Sequence, residues 1–175
     1  MLTWIMIAAA IALIGIDQWT KALAITHLYE ADRDITVIDG VFEFSFVKNP
    51  GAAFGMLKGQ LWIFVPVTLL VCGFIVAMMV RSPLRKYKLF DITCVLILAG
   101  AIGNLIDRIV YGYVVDFLHC TFIDFPVFNF ADCCVVIGCG LLFVFILFVM
   151  KEDDSVPTRT LLFGIEKKGK DKSNG

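Results

Sequence analysis

The sequence predicts an all-α membrane protein: four transmembrane helices, with a small β-hairpin-containing loop on the extracytoplasmic side. Three observations predict it. The chain is 59% hydrophobic and only 18% charged, where a soluble domain carries about 25% charged residues. Its mean hydropathy is +0.87, and four apolar stretches each reach the roughly 20 residues that a helix needs to cross a hydrocarbon core of about 30 Å. One long connection between them alternates apolar and polar residues with period two.

Residues 2–24 form the first span. No basic segment precedes it and its apolar run continues through Asp17, so it reads as a retained helix and not as a cleavable leader. The connection at about 25–59 is too long for a plain turn. Alternation across residues 35–47 sets Phe42, Phe44 and Phe46 on one strand face, with Val41, Glu43, Ser45 and Val47 on the other. Asp39-Gly40 is a hairpin-turn signal, and Asn49-Pro50-Gly51 breaks the strand. A β unit is therefore expected within about 29–59, its phenylalanine face laid on the membrane surface or on the helices. Further spans are expected at 61–80, 89–110 and 127–150. Residues 1–152 read as one four-helix domain without internal repeats. Residues 153–175, polar and rich in Lys and Gly, read as a disordered tail.

Charge sets the orientation. A net charge of -1 offers nothing to a nucleic-acid partner. Arg81, Arg85, Lys86 and Lys88 crowd the short second connection, whereas residues 111–126 contain no Lys or Arg. The positive-inside bias makes the second connection cytoplasmic; the first and third then face outward, and both termini lie inside. Trp19, Trp62, Tyr111 and Tyr113 fall near the outer interface, and Trp4 and Tyr87 near the inner one, as an aromatic belt requires. The six cysteines lie almost entirely in the spans and read as small apolar fillers. None has a zinc-type spacing with histidine, and neither metal nor cofactor is expected.

The polar residues of the spans recur at helical spacing. Asp17 and Lys21, and likewise Asn104 and Arg108, stand four residues apart; Asn129 and Asp132 stand three apart. All converge on the outer side, as does Asn49. The first two pairs read as self-satisfying contacts that hold the bundle together. Gly100 and Gly103 allow close approach of a helix or of a substrate backbone.

Asp116 and Asp132 differ. They flank the loop joining the last two helices and read as two acids at one depth, contributed by adjacent helices. Neither has a cation three or four residues away on its own helix, although Arg108 is available to be shared. An ionisable group at membrane depth is costly and points to function. Two carboxyls in contact share one proton near neutrality, and such a pair can activate water and protonate an amide. On residue types alone, a proton or ion relay and a purely structural pairing stay open. Transporters, however, usually show internal repeats and interrupted helices at the midplane, whereas here no repeat is evident and the polar groups cluster at one face. Ser45 and Lys48 would lie on opposite sides of a strand and make a poor nucleophile–base pair. His27 and His119 are far apart, with no ligand spacing around them.

Five blocks, in this order, resemble the bacterial lipoprotein signal peptidases, or signal peptidase II. They are Asp17-Gln-Trp-Thr-Lys21, Asn49-Pro-Gly-Ala-Ala-Phe54, Gly100-Ala-Ile-Gly-Asn104-Leu-Ile-Asp-Arg108, Val114-Val-Asp116-Phe117 and Phe125-Pro-Val-Phe-Asn129-Phe-Ala-Asp132. The resemblance runs from about residue 17 to 132 and leaves out the tail. It implies an aspartic endopeptidase of the bacterial cytoplasmic (inner) membrane that cuts diacylglyceryl-modified prolipoproteins on the amino side of the lipidated cysteine. It implies Asp116 and Asp132 as the catalytic pair. Asn49, Gly51, Ala52, Asn104, Arg108 and Asn129 match positions that bind substrate or support the pair, while Asp17 and Lys21 match a more structural pair. The bilayer and the cyclic peptide antibiotic globomycin are the other implied partners. An aspartic peptidase of the presenilin or prepilin-peptidase kind fits less well, because those place an Asp directly after Gly-x-Gly and Asp116 follows Gly112-Tyr-Val-Val.

Overall fold

The computed structural model describes residues 2–51 and 60–149. Ala52, Phe54 and the expected tail at 153–175 lie outside the described residues. Four helices follow one another: α1 (Leu2–Ala24), α2 (Leu61–Arg81), α3 (Lys88–Tyr111) and α4 (Phe130–Val144). A π-helical turn continues α1 over Ile25–Tyr29, and another continues α4 over Phe145–Val149. Among the described residues, four helical segments are long and apolar enough to cross a membrane. Their outer faces carry large exposed apolar side chains, including Trp4, Trp19, Trp62, Leu70 and Phe148. On a protein of this hydropathy, such surface is satisfied by lipid.

One end of the bundle closes with the Pro83–Lys86 3-10 turn and a cluster of Ile75, Leu84, Phe90, Cys94, Leu98 and Phe145. Gly138 lets α4 sit against α3 here: a Cβ at this position would meet Ile97 Cγ1 at 2.7 Å. The opposite end carries an antiparallel sheet in the order β1 (Ile35–Ile38), β2 (Phe42–Asn49), β3 (Val114–Cys120). The hairpin turns at Asp39-Gly40 as expected, with Gly40 at φ 68°, a conformation that favours glycine.

The sheet corrects the expected layout in two respects. Its third strand comes from the connection after α3, so Asp116 sits on a strand and not on a helix. The reason is Gly112, whose left-handed backbone (φ 79°) terminates α3 and leaves the β-branched Val114 and Val115 extended. The pairing of β2 with β3 is also irregular. Between Phe44 and Val47 the β2–β3 register shifts by one residue, which marks a β-bulge. Phe44 and Phe46 pack on Ala24, Leu28, Val115 and Phe117, so the aromatic side of the unit rests on the end of α1 and on its neighbouring strand.

Candidate active site

A cavity of about 610 Å³ opens where the sheet meets the helix ends, and both Asp116 and Asp132 line it. Asn49 and Pro50 contribute from the end of β2, Asn104 and Arg108 from α3, and Val135 and Val136 from α4.

Asp116 is buried in the middle of β3. Asn49 Nδ2 donates to its Oδ2 at 2.8 Å and Asn129 Nδ2 to its Oδ1 at 2.7 Å. The bulge decides which β2 residue does this. Continuing the Phe44–Leu118 register would set Phe46 opposite Asp116 and bring Lys48 to its face; the extra residue brings Val47 and Asn49 instead. Asn49 in turn accepts from the Gly51 amide at 3.0 Å, closing the turn after the strand. Burial pushes the Asp116 carboxyl up to about 7. The Asn49 amide opposes the rise and the nearby Asp132 charge adds to it.

Asp132 occupies the third position of α4 and belongs to its cap. Asn129 Oδ1 accepts from the Asp132 amide at 3.0 Å, and Asp132 Oδ2 accepts from the Asn129 amide at 3.1 Å, a reciprocal capping box. The other carboxylate oxygen, Oδ1, accepts from Asn104 Nδ2 at 2.7 Å. Loop 121–127 is folded back by a bridge between Leu118 and Phe128, with Leu118 N to Phe128 O at 2.8 Å and Phe128 N to Leu118 O at 3.0 Å. This bridge lays the start of α4 beside β3. Asn129 thus holds Asp116 with its side chain and Asp132 with its backbone, and it also donates to Asn104 Oδ1 at 3.0 Å.

The expected Asn104–Arg108 side-chain pair is not made. Asn104 spends its amide on Lys21, Asn129 and Asp132, while Arg108 donates to the backbone oxygens of Asn104 at 3.2 Å and Gly51 at 3.0 Å. The Arg108 guanidinium also lies 4.6 Å from the centre of the Phe64 ring. The Asp17–Lys21 pair does form, at 2.9 Å, but it is not self-contained: Lys21 Nζ reaches Asp107 Oδ2 at 2.9 Å as well. Asp107 and Gln18 complete this cluster in addition to the candidates that the sequence offers. Gln18 Nε2 donates to both Asp17 and Asp107. The signal for Asp107 was present, since Gly100, Gly103, Asn104 and Asp107 repeat at three- and four-residue steps along one face of α3. The two glycines serve helix packing: a Cβ at Gly100 would collide with the Ala131 carbonyl, and one at Gly103 would stand 2.5 Å from Asp17 Oδ2.

Of the remaining candidates, Lys48 lines the cavity and His119 does not. His119 pairs with Glu43 at 2.8 Å across β2 and β3. Lys48 bonds Tyr29 Oη at 2.9 Å and lies 4.1 Å from the centre of that ring.

Comparison with known proteins identifies the lineage. The family model described as Signal peptidase (SPase) II matches residues 9–148. A lipoprotein signal peptidase of Shouchella clausii is 43% identical over 138 residues, covering 79% of this chain and 89% of that protein. One from Streptococcus thermophilus is 40% identical over 146 residues, covering 83% and 92%. A bacterial membrane enzyme solved by the in meso method at 2.3 Å resolution superposes with a TM-score of 0.79 at 28% identity, over 87% of this chain and 93% of that one. With a family match spanning most of its length and relatives of this similarity, the chain belongs to the signal peptidase II family.

Proposed function

We propose that the protein is a membrane aspartic endopeptidase that removes signal peptides from diacylglyceryl-modified prolipoproteins, cutting on the amino side of the lipidated cysteine. The observation that carries this reading is the double grip of Asn129, which ties Asp116 and Asp132 to one another on the wall of one cavity. Relatives named lipoprotein signal peptidase support the substrate class.

In the proposed reaction the pair holds one proton. The ionised aspartate takes a proton from water as the water oxygen attacks the carbonyl carbon before the lipidated cysteine. The protonated aspartate donates to the carbonyl oxygen. Collapse of the tetrahedral species breaks the C–N bond, and the cysteine nitrogen leaves with a proton returned from the pair. No covalent enzyme intermediate forms. Burial of Asp116, which holds its proton to about pH 7, suits it to remain an acid near neutrality. Every carboxylate oxygen of the pair already accepts an amide donor, so ground-state orientation is fixed before substrate enters.

The cavity rim carries Val47, Val135 and Val136, an apolar border suited to acyl chains that stay in the bilayer while the peptide enters. Since the cationic Arg81–Lys88 connection lies at the other end of the bundle, the site reads as extracytoplasmic.

A gel-shift assay on a purified diacylglyceryl prolipoprotein tests the reading. Wild-type protein should release the signal peptide, and globomycin should block release by competing for the cavity. Asp116→Asn and Asp132→Asn should insert and fold yet leave the substrate uncut. Full processing by either variant would remove the dyad from the mechanism.

A further inference from the structure

The buried ammonium of Lys21 stands at the centre of a symmetrical arrangement. It pairs with Asp17 Oδ2 and with Asp107 Oδ2, each at 2.9 Å. All three residues are 2% exposed or less. Each of the two carboxylates also holds one backbone amide of another element. Asp17 Oδ1 accepts from Ala131 N at 2.9 Å, the residue before Asp132. Asp107 Oδ2 accepts from Val115 N at 3.0 Å, the residue before Asp116. A single cation therefore sits between two anions, and each anion anchors the main chain one residue ahead of one member of the pair.

Lys21 acts on the pair by a second route, through Asn104. Its Nζ donates to Asn104 Oδ1 at 2.9 Å. An ammonium has only donors, so it dictates which end of the Asn104 amide faces it. The NH2 end must then turn away, toward Asp132, where it donates at 2.7 Å. The same Asn104 oxygen accepts from Asn129 Nδ2, which sets the Asn129 amide in turn and points its NH2 at Asp116. Reversing either amide would set donor against donor at Lys21 or oxygen against carboxylate at the pair, and a buried mismatch of that kind is costly.

We infer that Lys21, Asp17 and Asp107 form a positioning centre that sets the spacing of Asp116 and Asp132 and the direction of the Asn104 and Asn129 side-chain amides bonded to them. None of the three touches the reacting atoms in this arrangement; they act through Ala131, Val115 and Asn104. This goes beyond holding the bundle together, because a purely structural ion pair would be indifferent to which way Asn104 points. The inference rests on the peptidase reading above. The charged groups on the elements packed around Asp116 are Lys21 from α1, Asp107 and Arg108 from α3, Asp132 from α4 and Lys48 from β2. Of these, Lys21 lowers the proton affinity of Asp116, so losing its charge moves the Asp116-dependent limb of the pH profile upward.

The test measures kcat, KM and the pH dependence of kcat for detergent-purified Lys21→Met, Asp107→Asn and the charge-balanced double variant Lys21→Met/Asp17→Asn, with size exclusion and thermal unfolding to quantify folded protein. Wild type, Asp116→Asn and Asp132→Asn are run alongside. Per folded molecule, kcat should fall at least 10-fold with KM within about 3-fold, and the lysine variants should show the limb displaced to higher pH. A folded variant with the wild-type kcat and pH profile would overturn the proposal, as would losses that only track the folded fraction. Failure of all three to fold would assign the cluster to stability alone and overturn it equally. Activity persisting in Asp116→Asn or Asp132→Asn would instead sink the underlying dyad, so the two failures are distinguishable.

Discussion

Asn49 Nδ2 meets Asp116 Oδ2 at 2.8 Å although the two residues are not cross-strand partners: Asn49 stands opposite Val114, and Asp116 opposite Val47. The contact is a diagonal one, reached because the bulge in β2 adds one residue before it. It ties the hairpin arm to the proposed acid, so the arm's position and the chemistry are coupled.

Removing that tie should therefore change titration as well as rate. Asn49→Ala deletes a donor that lowers the proton affinity of Asp116. The Asp116-dependent limb should move to higher pH, and the rate at its optimum should fall by about 10- to 100-fold, less than the loss of a whole general acid or base, which is about 100-fold or more. A pH–rate profile of the purified variant checks this; an unmoved limb would separate Asn49 from Asp116.

The raised Asp116 value also predicts the stability of the wild type. The folded carboxyl keeps its proton to about pH 7, whereas a free aspartate carboxyl titrates near 3.8. Between those values the native state binds more protons than the unfolded state, so this group's contribution declines as pH rises from about 4 to about 7 and is flat above. Asp116→Asn cannot titrate. Its Tm against pH should lack that component of the slope, and parallel curves for the two proteins would refute it.

Asn129 combines two duties that one pair of substitutions separates. Asn129→Ala loses the cap of α4, about 1 kcal/mol, together with the amide on Asp116. Asn129→Ser keeps a good capping residue but has no NH2 to give. Thermal unfolding should return toward wild type in the serine variant while signal-peptide release stays at least 10-fold reduced. Recovery of both would leave the cap as the residue's whole contribution.

Helix packing behind the site is tight at Gly103 and loose at Gly15. A Cβ at Gly103 would stand 2.5 Å from Asp17 Oδ2 and 3.3 Å from Ala131 Cβ, whereas one at Gly15 meets nothing within 4 Å. Gly103→Ala should cost about 1–3 kcal/mol of stability through overpacking, with activity lost as Asp17 shifts. Gly15→Ala should match or slightly exceed wild type, since alanine favours helix. Equal Tm values for the two variants would mean that α1, α3 and α4 have slack at Gly103.

The four spans, the hairpin at Asp39-Gly40 and the candidacy of Asp116 and Asp132 were legible in the chain itself. Each rests on a local rule: apolar length, period-two alternation, turn chemistry and the cost of an acid at membrane depth. What stayed illegible was relational. Residues 114–120 look like a loop until β2 offers them a partner, because strand pairing joins segments far apart in sequence. Asn104 and Arg108 share a helix face, yet packing gives Asn104 better partners across the bundle than the one beside it. Asp107 shares a helix face with Gly100, Gly103 and Asn104, yet only the approach of α1 turns it into a counterion for Lys21. Whether Asn49 or Lys48 faces Asp116 depends on one extra residue in β2, and an alternating pattern does not announce where it will be broken. Composition and periodicity thus determined what crosses the membrane; tertiary contact, which chooses among competing partners for each buried donor and acceptor, decided how the two acids are held.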